Sequence, residues 1–202
     1  MEKFGSQIRE REMKSWEADE KNGLNLGNQV RIPGHSMTEM KGDERMTNVV
    51  KLFRKNEDGS IYGFPYDPSS DYYAFIQDVV AKGYTQCILT TDIMLEEADY
   101  FLLNENGNVT GIKLYEDDAV LSEQFANLIS KLQTNRAYWS VLKDELNFLK
   151  NKAIAVETVE ICGNKQGSYK VIFHVNGIVE ISGDINDQLI DVIIKIIGAY
   201  IG

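Results

Sequence analysis

Between Asp92 and Asp118 the chain places eight carboxylates (Asp92, Glu96, Glu97, Asp99, Glu105, Glu116, Asp117 and Asp118) against one base, Lys113. Seven of the ten net negative charges of the 202-residue chain therefore fall within 27 residues. Carboxylates at this density have three physical uses. They solvate loops and favour a helix N-terminus through its dipole, a role open to Asp117 and Asp118. They pair with bases elsewhere in the fold, and Arg136, Lys143 and Lys150, spaced seven apart, form a matching line. Or they dock a basic protein partner, standing where the phosphates of a nucleic acid would stand. For this third use the candidate partner-binding residues are Glu96, Glu97 and Asp99 in one group and Glu116, Asp117 and Asp118 in another. A hairpin between the groups would bring them onto one face.

Other chemistries find less support. Adjacent pairs such as Glu96-Glu97 or Asp117-Asp118 have the groups for acid–base work or magnesium, but neighbouring side chains diverge in space. Asn106, Asn108, Thr110, Gly111 and Asp117 imitate calcium-loop positions without the required first Asp, last Glu or flanking helices. Zinc needs clustered His, Cys and carboxylate, whereas His35 and His174 have no ligand-spaced companion, and His174 reads as a half-buried strand residue. No phosphate-binding glycine loop and no nucleophile motif occurs; the run Gly163 to Ser168 reads as a hairpin turn. The expectation is no catalytic residue, no metal and no cofactor.

The elements that must position these groups follow from hydrophobic period. Residues 1–45 hold nine acids and eight bases with few bulky apolar groups, and read as a flexible N-terminal arm with room for a short helix near Ser6 to Glu20. The folded domain is expected over 46–202, with a sub-division into 46–118 and 153–202 around a helical region at 119–151. Strands are predicted at Asn48–Arg54, Ile61–Tyr66 and Gln86–Thr91 from β-branched alternation, with a helix between the last two opened by Asp71 and closed at Gly83. The acidic stretch reads as a loop or short helix followed by a hairpin centred on Asn106-Gly107. Further strands are expected at Ala153–Cys162, Tyr169–Val175 and Ile178–Ser182, the last two joined by an Asn176-Gly177 turn. An Ile-rich helix from Asn186 onward is apolar on most of its circumference and must be buried.

Within 119–151, Leu121, Phe125, Leu128, Leu132, Asn135, Trp139, Leu142, Leu146 and Leu149 alternate spacings of four and three. This is a heptad seam with one polar member, Asn135. It fits a long helix laid across a sheet, a helical hairpin bent near Thr134-Asn135, or an oligomer interface in a coiled-coil homodimer. The fold class is α+β, with mostly antiparallel strands and hairpins, one long heptad-patterned helix and a buried C-terminal helix.

The totals bound the function. A net charge of −10 repels nucleic acid and anionic lipid, and no apolar run reaches a membrane span. Two cysteines, Cys87 and Cys162, both in strand-like runs, suit free thiols in a reducing compartment and hence the cytoplasm. The expectation is a non-enzymatic interaction or regulatory protein whose acidic surface binds a basic protein. One form would be an inhibitor of a nucleic-acid-binding enzyme, of phage or mobile-element type. The alternatives are a small enzyme with a scattered Asp, Glu and Tyr site, and a structural or assembly subunit.

Overall fold

The computed structural model describes residues 47–116, 118–163, 168–183 and 187–201; the expected N-terminal arm, Asp117 and the turn at 164–167 lie outside them. Seven strands form one sheet: β1 (Thr47–Lys55), β2 (Ile61–Pro65), β3 (Tyr84–Gln86), β4 (Asn108–Leu114), β5 (Val156–Gly163), β6 (Tyr169–His174) and β7 (Ile178–Gly183). Five helices accompany them among the described residues: α1 (Tyr72–Ala81), α2 (Thr91–Asn104), α3 (Ala119–Thr134), α4 (Tyr138–Asn151) and α5 (Asp187–Ile201). The strand order is β2-β1-β7-β6-β5-β4, with every pairing antiparallel, so the α+β class holds.

β1 branches. Its first half pairs with β7, from Thr47↔Ser182 to Lys51↔Ile178, and its last three residues pair with β3. The switch is at Leu52, whose N–H donates to the Gly177 carbonyl at 2.8 Å and whose carbonyl accepts from Cys87 N–H at 3.1 Å. Beside it the fully buried Lys51 spends its ammonium on the carbonyls of Cys87 (3.3 Å) and Asn176, which ties the β6–β7 turn to the segment after β3. Burial pushes the Lys51 ammonium down to about 8. The expected strand at 86–91 is thus only partly strand: β3 ends at Gln86, and Leu89 N–H bridges to the Val175 carbonyl before α2 begins.

Strand alternation sorts the core into two clusters on opposite faces. Val159 and Ile161 of β5, Val171 and Phe173 of β6 and Val179 and Ile181 of β7 pack against α2, α3, α4 and α5, together with Leu52. Phe53, one residue on, points the other way into a smaller cluster with Ile76 and Val79 of α1 and the rings of Phe64, Phe75 and Tyr84. α1 is capped as the sequence indicates: Asp71 accepts from Tyr73 and Ala74 N–H, and Gly83 follows at φ +89°.

Two expectations fail in instructive ways. The single long helix over 119–151 is two helices, with the break at the Thr134-Asn135 bend that the spacing also allowed. α3 stops at Thr134, Asn135 is extended (φ −148°), and its Oδ1 accepts from Ala137 N–H at 3.0 Å as α4 starts. The Asn106-Gly107 hairpin is also absent, because residues 91–104 are one helix. Asn106 takes φ +51° and Gly107 N–H returns to the Phe101 carbonyl at 2.9 Å. A positive φ serves a helix C-terminus as well as a hairpin turn, and here it ends α2. β4 pairs instead with β5, through a bulge between Val109 and Gly111.

Candidate functional site

Two of the eight carboxylates of the acidic stretch, Asp92 and Asp99, are paired with the chain's own bases. Asp92, Asp99 and Asn106 lie seven apart along α2 and its exit; Arg136, Lys143 and Lys150 lie seven apart along the entry to α4 and α4 itself. The two rows run antiparallel and match. Lys150 pairs with Asp92 at 2.6 Å, and Lys143 pairs with Asp99, which also accepts from the Trp139 indole. Arg136 donates to Asn106 Oδ1 at 2.6 Å and to the Leu102 carbonyl at 2.8 Å. The period that suggested a seam between chains is thus used between two helices of one chain, with polar clasps flanking the apolar contact as in a coiled coil.

Of the six candidate partner-binding residues, five are described, and they do not all lie on the surface. Glu97 is fully buried with neither oxygen hydrogen-bonded, and burial pushes its carboxyl up to about 9, so it is a neutral core acid rather than a surface charge. Asp99 is half-buried in the clasp, and Glu96 is hydrogen-bonded by Tyr200 of α5. Asp118 caps α3, accepting from Val120 and Leu121 N–H at 2.8 and 3.1 Å. Glu116 is exposed, and Asp117 lies outside the described residues. Of the seam residues, Phe125, Leu132, Leu142, Leu146 and Leu149 are buried in the chain's own core, Leu121, Leu128 and Trp139 pack against it, and Asn135 sits exposed at the corner.

Three other features of the surface offer binding. The first is a cleft of about 530 Å³ where the start of β4 and the end of β5 meet the α3–α4 corner, lined by Asn108, Thr110, Gln133, Asn135, Arg136 and Cys162 among others. Asn108 Oδ1 is buried beside it without a partner, and such an acceptor calls for a water or a ligand donor. Gly163 also lines it, and the Tyr169 hydroxyl comes so close that a Cβ there would stand 2.2 Å from it.

The second is the face of the sheet opposite α2 and α5. Among the described residues α1 covers it at Phe53, Phe64 and Tyr84, while on β5, β6 and β7 the outward side chains Thr158, Glu160, Lys170, Ile172, His174, Ile178, Glu180 and Ser182 are all partly exposed and belong to neither apolar cluster. Ile172 lies opposite Glu160 on one side and Glu180 on the other. Lys170 reaches diagonally to Glu160 at 2.7 Å and His174 to Glu180 at 2.8 Å. The half-buried strand position expected for His174 is where it stands. Its partner Glu180 was not named from the sequence, although the Asn176-Gly177 turn is what fixes the register that sets Ile172 beside it.

The third is the outer face of α4, where Val141 (44% exposed) and Phe148 (53%) stand seven apart with exposed Asp144 and Glu145 between them. Lys152 lies over the Phe148 ring at 4.3 Å. Among the described residues no cluster of three or more metal-ligating side chains occurs, and no helix is long and apolar enough to cross a membrane. Compared with known proteins, the chain matches no protein-family model, no curated protein and no solved structure.

Proposed function

We propose that this chain is a non-enzymatic interaction protein that takes a basic protein segment on the outer face of α4. The observation that carries the reading is the pair Val141 and Phe148, exposed two turns apart with Asp144 and Glu145 on the same stretch. Two apolar anchors flanked by carboxylates suit a basic amphipathic helix. Residues 1–45 are nearly balanced in charge, so all but one of the ten net negative charges lie beyond them, and this field favours encounter with a basic protein. An inhibitor of a nucleic-acid-binding enzyme, of phage or mobile-element type, is one form this reading takes. The free thiols Cys87 and Cys162 are consistent with a reducing compartment such as the cytoplasm.

Affinity capture from the native host with the wild-type chain, Phe148→Ser and the double variant Asp144→Asn/Glu145→Gln tests it. A basic protein should be retained by the wild type and lost with Phe148→Ser. The double variant should associate about tenfold more slowly at low salt, with a flatter salt dependence. If all three chains retain the same proteins equally, α4 is not the docking surface. A second reading, an assembly subunit, is favoured by the bare sheet face.

A further inference from the structure

We infer that the uncovered face of β5, β6 and β7 docks a second copy of this chain, sheet on sheet, with the two β6 strands crossing near a right angle at Ile172. The charge pattern carries this. Glu160 and Glu180 flank Ile172 across the strands, two inter-strand spacings or about 10 Å apart. Lys170 and His174 flank it along the strand, four residues or about 13 Å apart. The acids thus lie on one axis and the bases on the perpendicular axis, with the same apolar residue at the crossing.

A two-fold axis lying in the interface, diagonal to the strands, exchanges the two directions. It sets each carboxylate of one copy over a base of the other and stacks Ile172 on its counterpart. Crossing at about 90° is one of the two geometries in which sheets pack face to face. Contacts related by such an axis are self-complementary, as a closed dimer requires. A partner of one sign meets a like charge at every second position, which disfavours a purely basic or acidic protein here. Ile178 and Val49 extend the apolar centre, and Thr158 and Ser182 give it a polar rim.

Sedimentation velocity of the full chain from 1 to 200 micromolar, concentrations on the order of those used for weak dimers, reads the outcome. The wild type should dimerise, and Ile172→Arg should be monomeric with an unchanged circular dichroism spectrum. Lys170→Glu alone and the double variant Glu160→Lys/Glu180→Lys should each lose self-association at least tenfold. An equimolar mixture of these two variants should re-form a dimer, because the swapped charges face one another again. The partly exposed charge variants keep the test alive if Ile172→Arg does not fold. A wild type that stays monomeric at every concentration overturns the inference, as does a dimer indifferent to these substitutions or variants that fail to recombine. Binding of some other protein to the face of a monomeric chain overturns it equally.

Discussion

Glu97 shows how a single residue reverses an expectation. Read as a surface charge, it belongs with Glu96 and Asp99; in the fold it occupies a core position on α2 with no donor for either oxygen. An ionised carboxylate without a partner is expelled from such a site, so the group folds as the neutral acid. Its folded value near 9 stands above the unfolded value of 4.5, so between these limits the folded state holds one proton more than the unfolded chain. The contribution to stability is complete below pH 4.5 and is lost as pH rises toward 9. Relative to wild type, Glu97→Gln should gain about 1.4 kcal/mol per pH unit in that window. Urea unfolding at pH 5.5 and 7.5 should therefore show the variant's advantage growing by about 3 kcal/mol. An effect equal at both pH values would mean that Glu97 is charged or paired in the folded state. No sequence pattern marked it, since one acid among eight carries no sign of which will be turned inward.

At the scale of elements, what could be read was the amphipathic part. α1, β6 and β7 each keep one buried side and an alternation or cap that announces it, and their boundaries, like those of β1 and β2, came within a few residues. α2 did not, for a physical reason: Thr91, Ile93, Met94, Leu95, Glu97, Ala98, Phe101 and Leu102 are buried on nearly every side of it, so little 3.6-residue period survives. The α3–α4 break was open among the readings, as a bend near Thr134-Asn135, but the spacing alone could not choose it, since the four-three period continues across Asn135 although the backbone turns there. This distinction is measurable. In a continuous heptad seam, Asn135→Leu stabilises by removing a buried polar group. At the corner of two helices it removes the acceptor for Ala137 N–H and should destabilise by about 1 kcal/mol. Thermal or urea unfolding of Asn135→Leu decides between them by sign alone.

For the molecule as a whole, composition gave the class, and hydrophobic period gave most of the sheet. It could not give the strand order, because pairing of distant strands leaves no local trace. Among the described residues, every member of the two core clusters lies at position 50 or beyond. Deleting residues 1–45 removes none of them, and the thermal midpoint should stay within about 2 °C of the full chain, since about 1 kcal/mol moves a protein of this size by about 2–4 °C. A larger fall would show that those residues stabilise the fold. The place of β7 sets a different limit at the other end. It joins the β1–β2–β3 part of the sheet to β6–β5–β4, with Val50 registered against Val179 across most of the domain's length. During synthesis β1 can pair with β2 as soon as both are made, but its other edge waits for β7, the last of these strands, and stands open until then. Contacts of such sequence separation slow folding, because a long loop must close before they form. In the interval the nascent sheet presents an open apolar edge, the species on which chaperones act and from which aggregates grow.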